Sequence, residues 1–359
     1  MNWSSKIKSL WGEKQAGVSA DELIAEMTAV RVKSSLLAFT GKPYGNDWRG
    51  MYNGAVALFP EALVAVPHRQ SKNIFSEDDL KKISHTISDL KFERIVFSGY
   101  AECLKELLLS IHKHAPAPLR DHIFLTHHGS LSSHGEIPVH ARHLHEIMDL
   151  NQHGIIRRLG FFKKGLAETL NKITGIDSHF LINIGNENDG VKTQALSGLH
   201  VGVFTHNSFR KNLHNQVAAA LMLEQATVHV HDDHDFEYLN SAGRLRAHPF
   251  TESYDDFLKV LGSMSLNFYV TFSECYGLVI AESLSLGVPC LASNSSGFFD
   301  YDEFLARSLV VEEYDNSEAI FRKAQEALAN RKAIAARGKE YVKKLNAMAR
   351  GKLHDFLNS

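Results

Sequence analysis

A chain of 359 residues in which 44% of side chains are hydrophobic and 22% charged can bury a sizeable core, and its length suits two domains of ordinary size. A formal net charge of -2 gives no global attraction to a polyanion and no basic patch dominates the sequence, so nucleic acid is not expected as a partner. Cys103, Cys275 and Cys290 form no CxxC pair and are odd in number, which argues against a disulfide framework or a zinc site and fits a reducing cytoplasm.

The N-terminal MNWSSKIKSLWGEK lacks the apolar stretch of a signal peptide, and no apolar run reaches the roughly 18 to 20 residues of a membrane-spanning helix. If helical it is amphipathic, with Trp3, Ile7, Leu10 and Trp11 on one face and Lys6, Lys8 and Lys14 away from it. A cytoplasmic protein is expected. Peripheral contact at the inner face of the membrane is one use of this segment, and a helix docked on its own protein is the blander one.

Next come apolar runs rich in β-branched and aromatic residues: SLLAFT from Ser35, RIVFSG from Arg94, HIFLTHHG from His122 and FLINIG from Phe180, with helical patterns between them. Strands alternating with helices predict parallel pairing through right-handed crossovers, hence an α/β doubly wound sheet. Ala55 to Pro67 reads as a strand pair or as a strand and a turn. Gly154 to Gly165, GIIRRLGFFKKG, mixes cations with apolar residues. It reads equally as a half-buried helix with a basic outer face or as a surface for an anionic membrane or charged acceptor.

The polar stretch from Asn186 to Gly198 has no periodicity and reads as a linker. The alternation then restarts through the strand LHVGVF, the helix NLHNQVAAALMLE, the strand ATVHV, a helix over Tyr254 to Met264, the strand LNFYVTF, the helix GLVIAESLSLG and the strand VPCLAS. A strongly helical tail begins at Asn316. This predicts a Rossmann-like domain over residues 1–190, a second over 191–340, and a terminal helix over 341–359 returning to the first. Such sheets bind ligands at the carboxyl ends of their strands, so both domains are expected to face a cleft.

The sharpest chemical signal is SECYGLVIAESLSLG, Ser273 to Gly287, between two predicted strands. Glu274 and Glu282 stand eight positions apart and bracket Gly277, which opens a helix. The N–H groups of Gly277, Leu278 and Val279 would point at a phosphate. Glu282, about 7 to 8 Å further along the axis at 1.5 Å per residue, would reach past it to a ribose. Two carboxylates beside a diphosphate demand cations, and VGVFTHNSFRKN supplies Arg210 and Lys211 at a helix start.

The segment resembles the E-x7-E motif of retaining GT-B glycosyltransferases of the family-4-like group, including its trailing helix and the Gly287-Val288-Pro289 turn. The resemblance implies two Rossmann-like domains, a nucleoside diphosphate sugar as donor, and a glycan or lipid-linked acceptor in bacterial surface glycan biosynthesis. It implies transfer with retention by front-side attack, the leaving phosphate taking the acceptor proton. Glu274 would hold hydroxyls of the donor sugar and Glu282 the ribose. Gly202 and Lys211 match the family's glycine-then-lysine loop. The residue after that glycine, commonly Arg, is Val203 here, and Arg210 can supply the missing charge. HIFLTHHGS resembles the family's His-Gly element, which gives His128 a catalytic place near the transferred sugar; a satisfied structural histidine is the bland alternative. GKPYGNDWRGMYNG takes the place of the acceptor loop without its paired glycines, with Asp47 and Arg49 as acceptor or phosphate contacts, or else it is an ordinary surface loop. HVHDDHDFE, from His229, is dense in metal-capable groups but draws them from one short loop, so neither a metal nor a cofactor is expected. A sugar-nucleotide epimerase of the same architecture and a non-catalytic scaffold subunit are the competing functions.

Overall fold

The structure, a computed structural model, describes residues 18–43, 48–67, 74–188, 190–232, 234–239, 243–248 and 253–358, and of residues 234, 235 and 237 the backbone only. The amphipathic N-terminal pattern and Asp47 lie outside the described residues. By contact the chain forms two compact units. One comprises Met1–His127 with Glu146–Leu159, the other His128–His145 with Gly160–Ser359.

In the first half of the chain the elements are α1 (Ala20–Lys33), β1 (Leu36–Gly41), α2 (Arg49–Leu58), β2 (Leu63–Val66), α3 (Glu77–Asp89), β3 (Arg94–Ser98), α4 (Glu102–His114), α5 (Ala117–Arg120), β4 (Ile123–His127), α6 (Pro138–Gln152), β5 (Arg158–Phe161), α7 (Leu166–Thr174) and β6 (Ser178–Phe180). Their six-stranded sheet has the order β2-β1-β3-β4-β5-β6. The β2–β1, β1–β3 and β3–β4 pairs are parallel, as alternation with helices requires. α1 and α3 both start in a capping box. Ser19 exchanges hydrogen bonds with Glu22, and Ser76 with Asp79, satisfying backbone donors that have no partner inside the helix.

Two expectations fail here. From Arg49 onward the segment read as a glycine-rich loop is helix α2, and Ala55 to Leu58 completes that helix rather than a strand. Alanine and leucine carry this run on a helix as readily as on a strand. The glycine demand has another cause: a Cβ on Gly41 would stand 2.2 Å from the Trp48 ring. Likewise Arg158–Phe161, inside GIIRRLGFFKKG, is strand β5 and not a basic-faced helix, its last three residues buried.

The second half contains β7 (Leu199–Val203), α8 (Leu213–Leu221), β8 (Ala226–Val230), β9 (Leu245–Ala247), α9 (Tyr254–Gly262), β10 (Leu266–Tyr269), α10 (Leu278–Ser285), β11 (Cys290–Ser293), α11 (Glu303–Leu309), β12 (Val310–Val311), α12 (Ser317–Ala329) and α13 (Arg331–Asn358). The sheet order is β12-β11-β10-β7-β8-β9, and every neighbouring pair is parallel. The chain therefore enters at β7, works outwards through β8 and β9, and returns to β10 on the other side of β7. Adjacent connections leave in opposite directions there, which opens a crevice beyond the carboxyl ends of β7 and β10.

Gly202, in the predicted strand LHVGVF and matched by resemblance to the donor loop, lies inside β7. A Cβ there would meet the Phe204 ring at 2.3 Å and Asn267 Oδ1 at 2.4 Å, so its small size serves the packing of β7 on β10.

Residues 128–145 and 160–190 group with the second half of the chain instead of ending a domain at 190. Side-chain bonds knit them to it. Asn346, on α13, donates to the Gly185 carbonyl at 2.8 Å and accepts its N–H at 3.1 Å. Among the described residues no helix is long and apolar enough to cross a membrane.

Candidate functional site

The site grows from the two strand ends that flank the crevice. After β7 the chain makes a 3-10 turn over Phe209–Lys211, then Asn212 takes a left-handed conformation, φ 53°, to start α8. Asn212 Nδ2 donates to the Val270 carbonyl at 3.0 Å, and Gln216 joins the same strands by donating to the Lys211 carbonyl at 2.8 Å and accepting the Val270 N–H at 2.7 Å. Phe272 N–H donates to the Arg210 carbonyl at 2.9 Å. These bonds fix the turn against the segment that follows β10, which carries Glu274.

Lys211 is 5% exposed. Its Nζ donates to Tyr269 Oη at 2.5 Å and to Glu274 Oε2, and sits 4.7 Å from the centre of the Tyr269 ring. Tyr269 donates its own hydroxyl proton to Glu274 Oε2 at 2.8 Å, while Oε1 accepts the Cys275 N–H at 3.0 Å. Arg210 Nη1 lies 3.8 Å from the same carboxylate. Burial pushes the Glu274 carboxyl up, but Lys211 and Arg210 outweigh it and hold it at about 2, so Glu274 is an anion at neutral pH. Burial lowers Lys211, and Glu274 opposes it. The Tyr269 hydroxyl is raised, first by burial, then by Glu274 and also by Glu282, so both carboxylates of the motif lie within electrostatic reach of one phenol.

Glu282 lies on α10 and is 4% exposed. Tyr254, opening α9, donates to its Oε1 at 2.6 Å, and Asn186 donates to the Tyr254 hydroxyl oxygen at 3.3 Å. Gly277 precedes α10 with φ 87° and ψ 66°, a left-handed conformation that suits glycine. The first intrahelical N–H is that of Ile280, donating to the Gly277 carbonyl at 2.9 Å, so those of Leu278 and Val279 come before the ladder begins.

A third strand of the site comes from far away in sequence. Ser273 Oγ donates to Ser130 Oγ at 3.1 Å and accepts from Ser132 Oγ, which ties the turn after β4 to the residue before Glu274. Glu136 accepts the Arg210 N–H at 2.7 Å through Oε1, and its Oε2 stands 3.3 Å from Arg210 Nε. Lys163 Nζ donates to the Glu274 carbonyl at 3.0 Å and to the Ser295 carbonyl, anchoring the backbone that carries the acid. All these residues belong to the second compact unit.

The structure thus brings Arg210, Lys211 and Glu274 together and sets Glu282, Gly277 and Leu278 on the adjoining helix and its start. His128 belongs to the same unit, where its ring packs 4.1 Å from that of Phe162. Burial pushes it down to about 3, so it is a neutral imidazole. Gly202 stands inside β7, and Arg49 begins α2 and is not in the loop expected of it. Tyr269, Tyr254, Glu136 and Lys163 were not singled out in the sequence. Tyr269 and Tyr254 sit in predicted elements without a distinguishing spacing, and the other two act over separations of 74 and 111 positions.

His229, from the metal-capable run, has a different use. Its Nε2 is 2.9 Å from His200 Nδ1 and its Nδ1 2.7 Å from His248 Nε2. His200 Nε2 faces the Ser197 carbonyl at 2.9 Å and must donate there, so each ring in turn carries its proton on Nε2. Burial, then His248 and His200, push His229 down to about 4. The unfolded chain, with an ordinary imidazole near 6.5, takes up that proton first. Stability is therefore full above pH 6.5 and falls between 6.5 and about 4, by on the order of 2 to 3 kcal/mol from this group. The melting temperature should drop on acidification across that window, and His229→Gln should flatten the slope; an equally steep slope in the variant refutes the assignment.

Residues 205–351 match the family model described as family 4 glycosyltransferase in conflict systems, a span that holds Arg210, Lys211, Glu274, Gly277 and Glu282. The structure is similar to Anabaena HepE in complex with UDP and glucose, with a TM-score of 0.62 and 14% identity over 89% of this chain and 99% of that one. The chain has the GT-B fold. This GT-B fold is also similar to sucrose-phosphate synthase from Thermosynechococcus elongatus, with a TM-score of 0.60 and 13% identity over 90% of this chain and 98% of that one. A glycosyltransferase from Rickettsia africae gives a TM-score of 0.60 and 13% identity over 90% of the GT-B chain and 98% of its own. No curated protein sequence matches it. At these identities the likeness to solved structures is one of fold.

Proposed function

We propose that the chain is a glycosyltransferase that moves a sugar from a nucleoside diphosphate sugar to an acceptor hydroxyl with retention at the anomeric carbon. The observation that carries this reading is the meeting of two cations, Arg210 and Lys211, with the buried carboxylate of Glu274 beyond the ends of β7 and β10, beside the start of α10, where the N–H groups of Leu278 and Val279 precede the helical ladder. That is the charge pattern a leaving diphosphate and a polyhydroxyl ring require together. The HepE structure, complexed with UDP and glucose, supports the choice of donor class.

In this mechanism Lys211, Arg210 and the N–H groups of Leu278 and Val279 stabilise negative charge growing on the diphosphate. Such preorganised donors supply several kcal/mol per site. Glu274, ionised and held from four sides, orients the donor sugar. Glu282, steadied by Tyr254, anchors the ribose. His128, neutral throughout the working pH range, hydrogen-bonds a sugar hydroxyl without adding charge. The leaving phosphate takes the acceptor proton, so no protein base is needed, and the scheme uses neither metal nor cofactor. The acceptor is a glycan or a lipid-linked glycan of a bacterial surface, bound with help from Arg49, and the enzyme works in the cytoplasm with peripheral contact at the membrane.

The test is thermal stabilisation by UDP, GDP, ADP and TDP. A ligand at a hundredfold excess over its Kd adds about 2.7 kcal/mol, a rise of several degrees for a protein of this size. One of the four should raise the wild-type melting temperature, and Glu282→Ala should lose most of the rise. Silence from all four would favour the scaffold subunit instead.

A further inference from the structure

Arg210 is held in an unusual way. Glu136 accepts its backbone N–H at 2.7 Å and places Oε2 3.3 Å from Nε. Yet Nε is buried and makes no hydrogen bond to any described residue. The guanidinium is neutralised by Glu136 but not satisfied by it, and a buried donor without an acceptor is costly until one arrives. Arg210 and Lys211 face Glu274 and Glu136, so two cations stand against two carboxylates and cancel. Lys163, the next cation, is occupied by the Glu274 and Ser295 carbonyls. A diphosphate entering this group meets an Arg210 already paired, and so a weaker positive field, while Glu136 stays in place.

Of the two acids, Glu136 is the one able to leave. Glu274 has Lys211, Tyr269 and the Cys275 N–H as well as Arg210. The side chain of Glu136 is 22% exposed and follows a short 3-10 turn, Leu131–His134. We propose that Glu136 is a resident competitor of the donor diphosphate for Arg210. It swings to solvent when a phosphate oxygen takes Nε, and it returns to help expel the nucleoside diphosphate product. This inference rests on the donor reading above and adds to it a residue that sets nucleotide affinity and release.

The probes are UDP, GDP, ADP and TDP, titrated by calorimetry into the full chain and into E136Q, which keeps an oxygen for the Arg210 N–H and replaces the charged oxygen facing Nε with a neutral amide nitrogen. The nucleotide that binds should bind E136Q about fivefold more tightly or better. Donor turnover should show a lower KM and also a lower kcat, because product leaves more slowly. D300N, which removes a carboxylate paired with Lys164 elsewhere in the same unit, should leave the affinity unchanged. Equal or weaker binding by E136Q overturns the competitor role, and so does an equal gain in D300N, which would be an effect of net charge alone. If no nucleotide binds either protein, the donor reading falls and this inference with it.

Discussion

Replacing Glu274 with glutamine should cut sugar transfer by about a hundredfold or more while leaving nucleoside diphosphate affinity unchanged or tighter. Glutamine keeps the shape of the side chain and an oxygen for the Cys275 N–H, and puts an amide nitrogen where Oε2 accepts from Tyr269 and Lys211. What it loses is the negative charge to which Lys211 and Arg210 are drawn and which the donor sugar's hydroxyls would meet. Misplacing a reacting group by about 1 Å costs on the order of a hundredfold, whereas a diphosphate gains from the removal of a nearby anion. Nucleotide release from a panel of donor sugars, set beside UDP titration, separates the two effects. Full turnover in the variant would remove Glu274 from the mechanism.

The second large effect is expected at Lys211. Methionine matches the apolar part of its stem, so Lys211→Met isolates the ammonium from its packing. Removing one member of a buried ion pair costs about 3 to 5 kcal/mol, because the partner stays buried and uncompensated. The lower end applies, since Glu274 keeps Tyr269, the Cys275 N–H and, at 3.8 Å, Arg210. Urea unfolding should show about 3 kcal/mol less stability, and stabilisation by nucleotide should largely disappear. A variant within about 1 kcal/mol of wild type would mean that the pair breaks even against its desolvation. Glu274, held at about 2, is charged at neutral pH, where both measurements are made.

Much of the site was legible because its parts are local. The spacing of Glu274, Gly277 and Glu282 lies on one strand-turn-helix, where a left-handed glycine and a helix start follow from a dozen residues. Lys211 was readable as the cation at the next helix start. Gly202 falls in the predicted strand LHVGVF, and the need for a glycine there comes from the Phe204 ring and Asn267 beside it. Arg158–Phe161 went astray because four residues are too few to show whether apolar positions repeat every two or every 3.6. Arg49 reads as part of a loop because its segment takes the place of the family's acceptor loop, yet Gly50 and Gly54 sit inside α2.

By itself the sequence determined the alternation of strands and helices, the two-sheet α/β class and the E-x7-E turn. All three follow from short-range sterics and the periodicity of apolar residues. Only the tertiary structure decided which strand ends meet, and therefore that Tyr269 lies between Lys211 and Glu274, that Tyr254 caps Glu282, and that Glu136 and Lys163 reach the same group from distant loops. Contacts between residues so far apart depend on sheet order and on the burial that closes the chain, which no local pattern encodes.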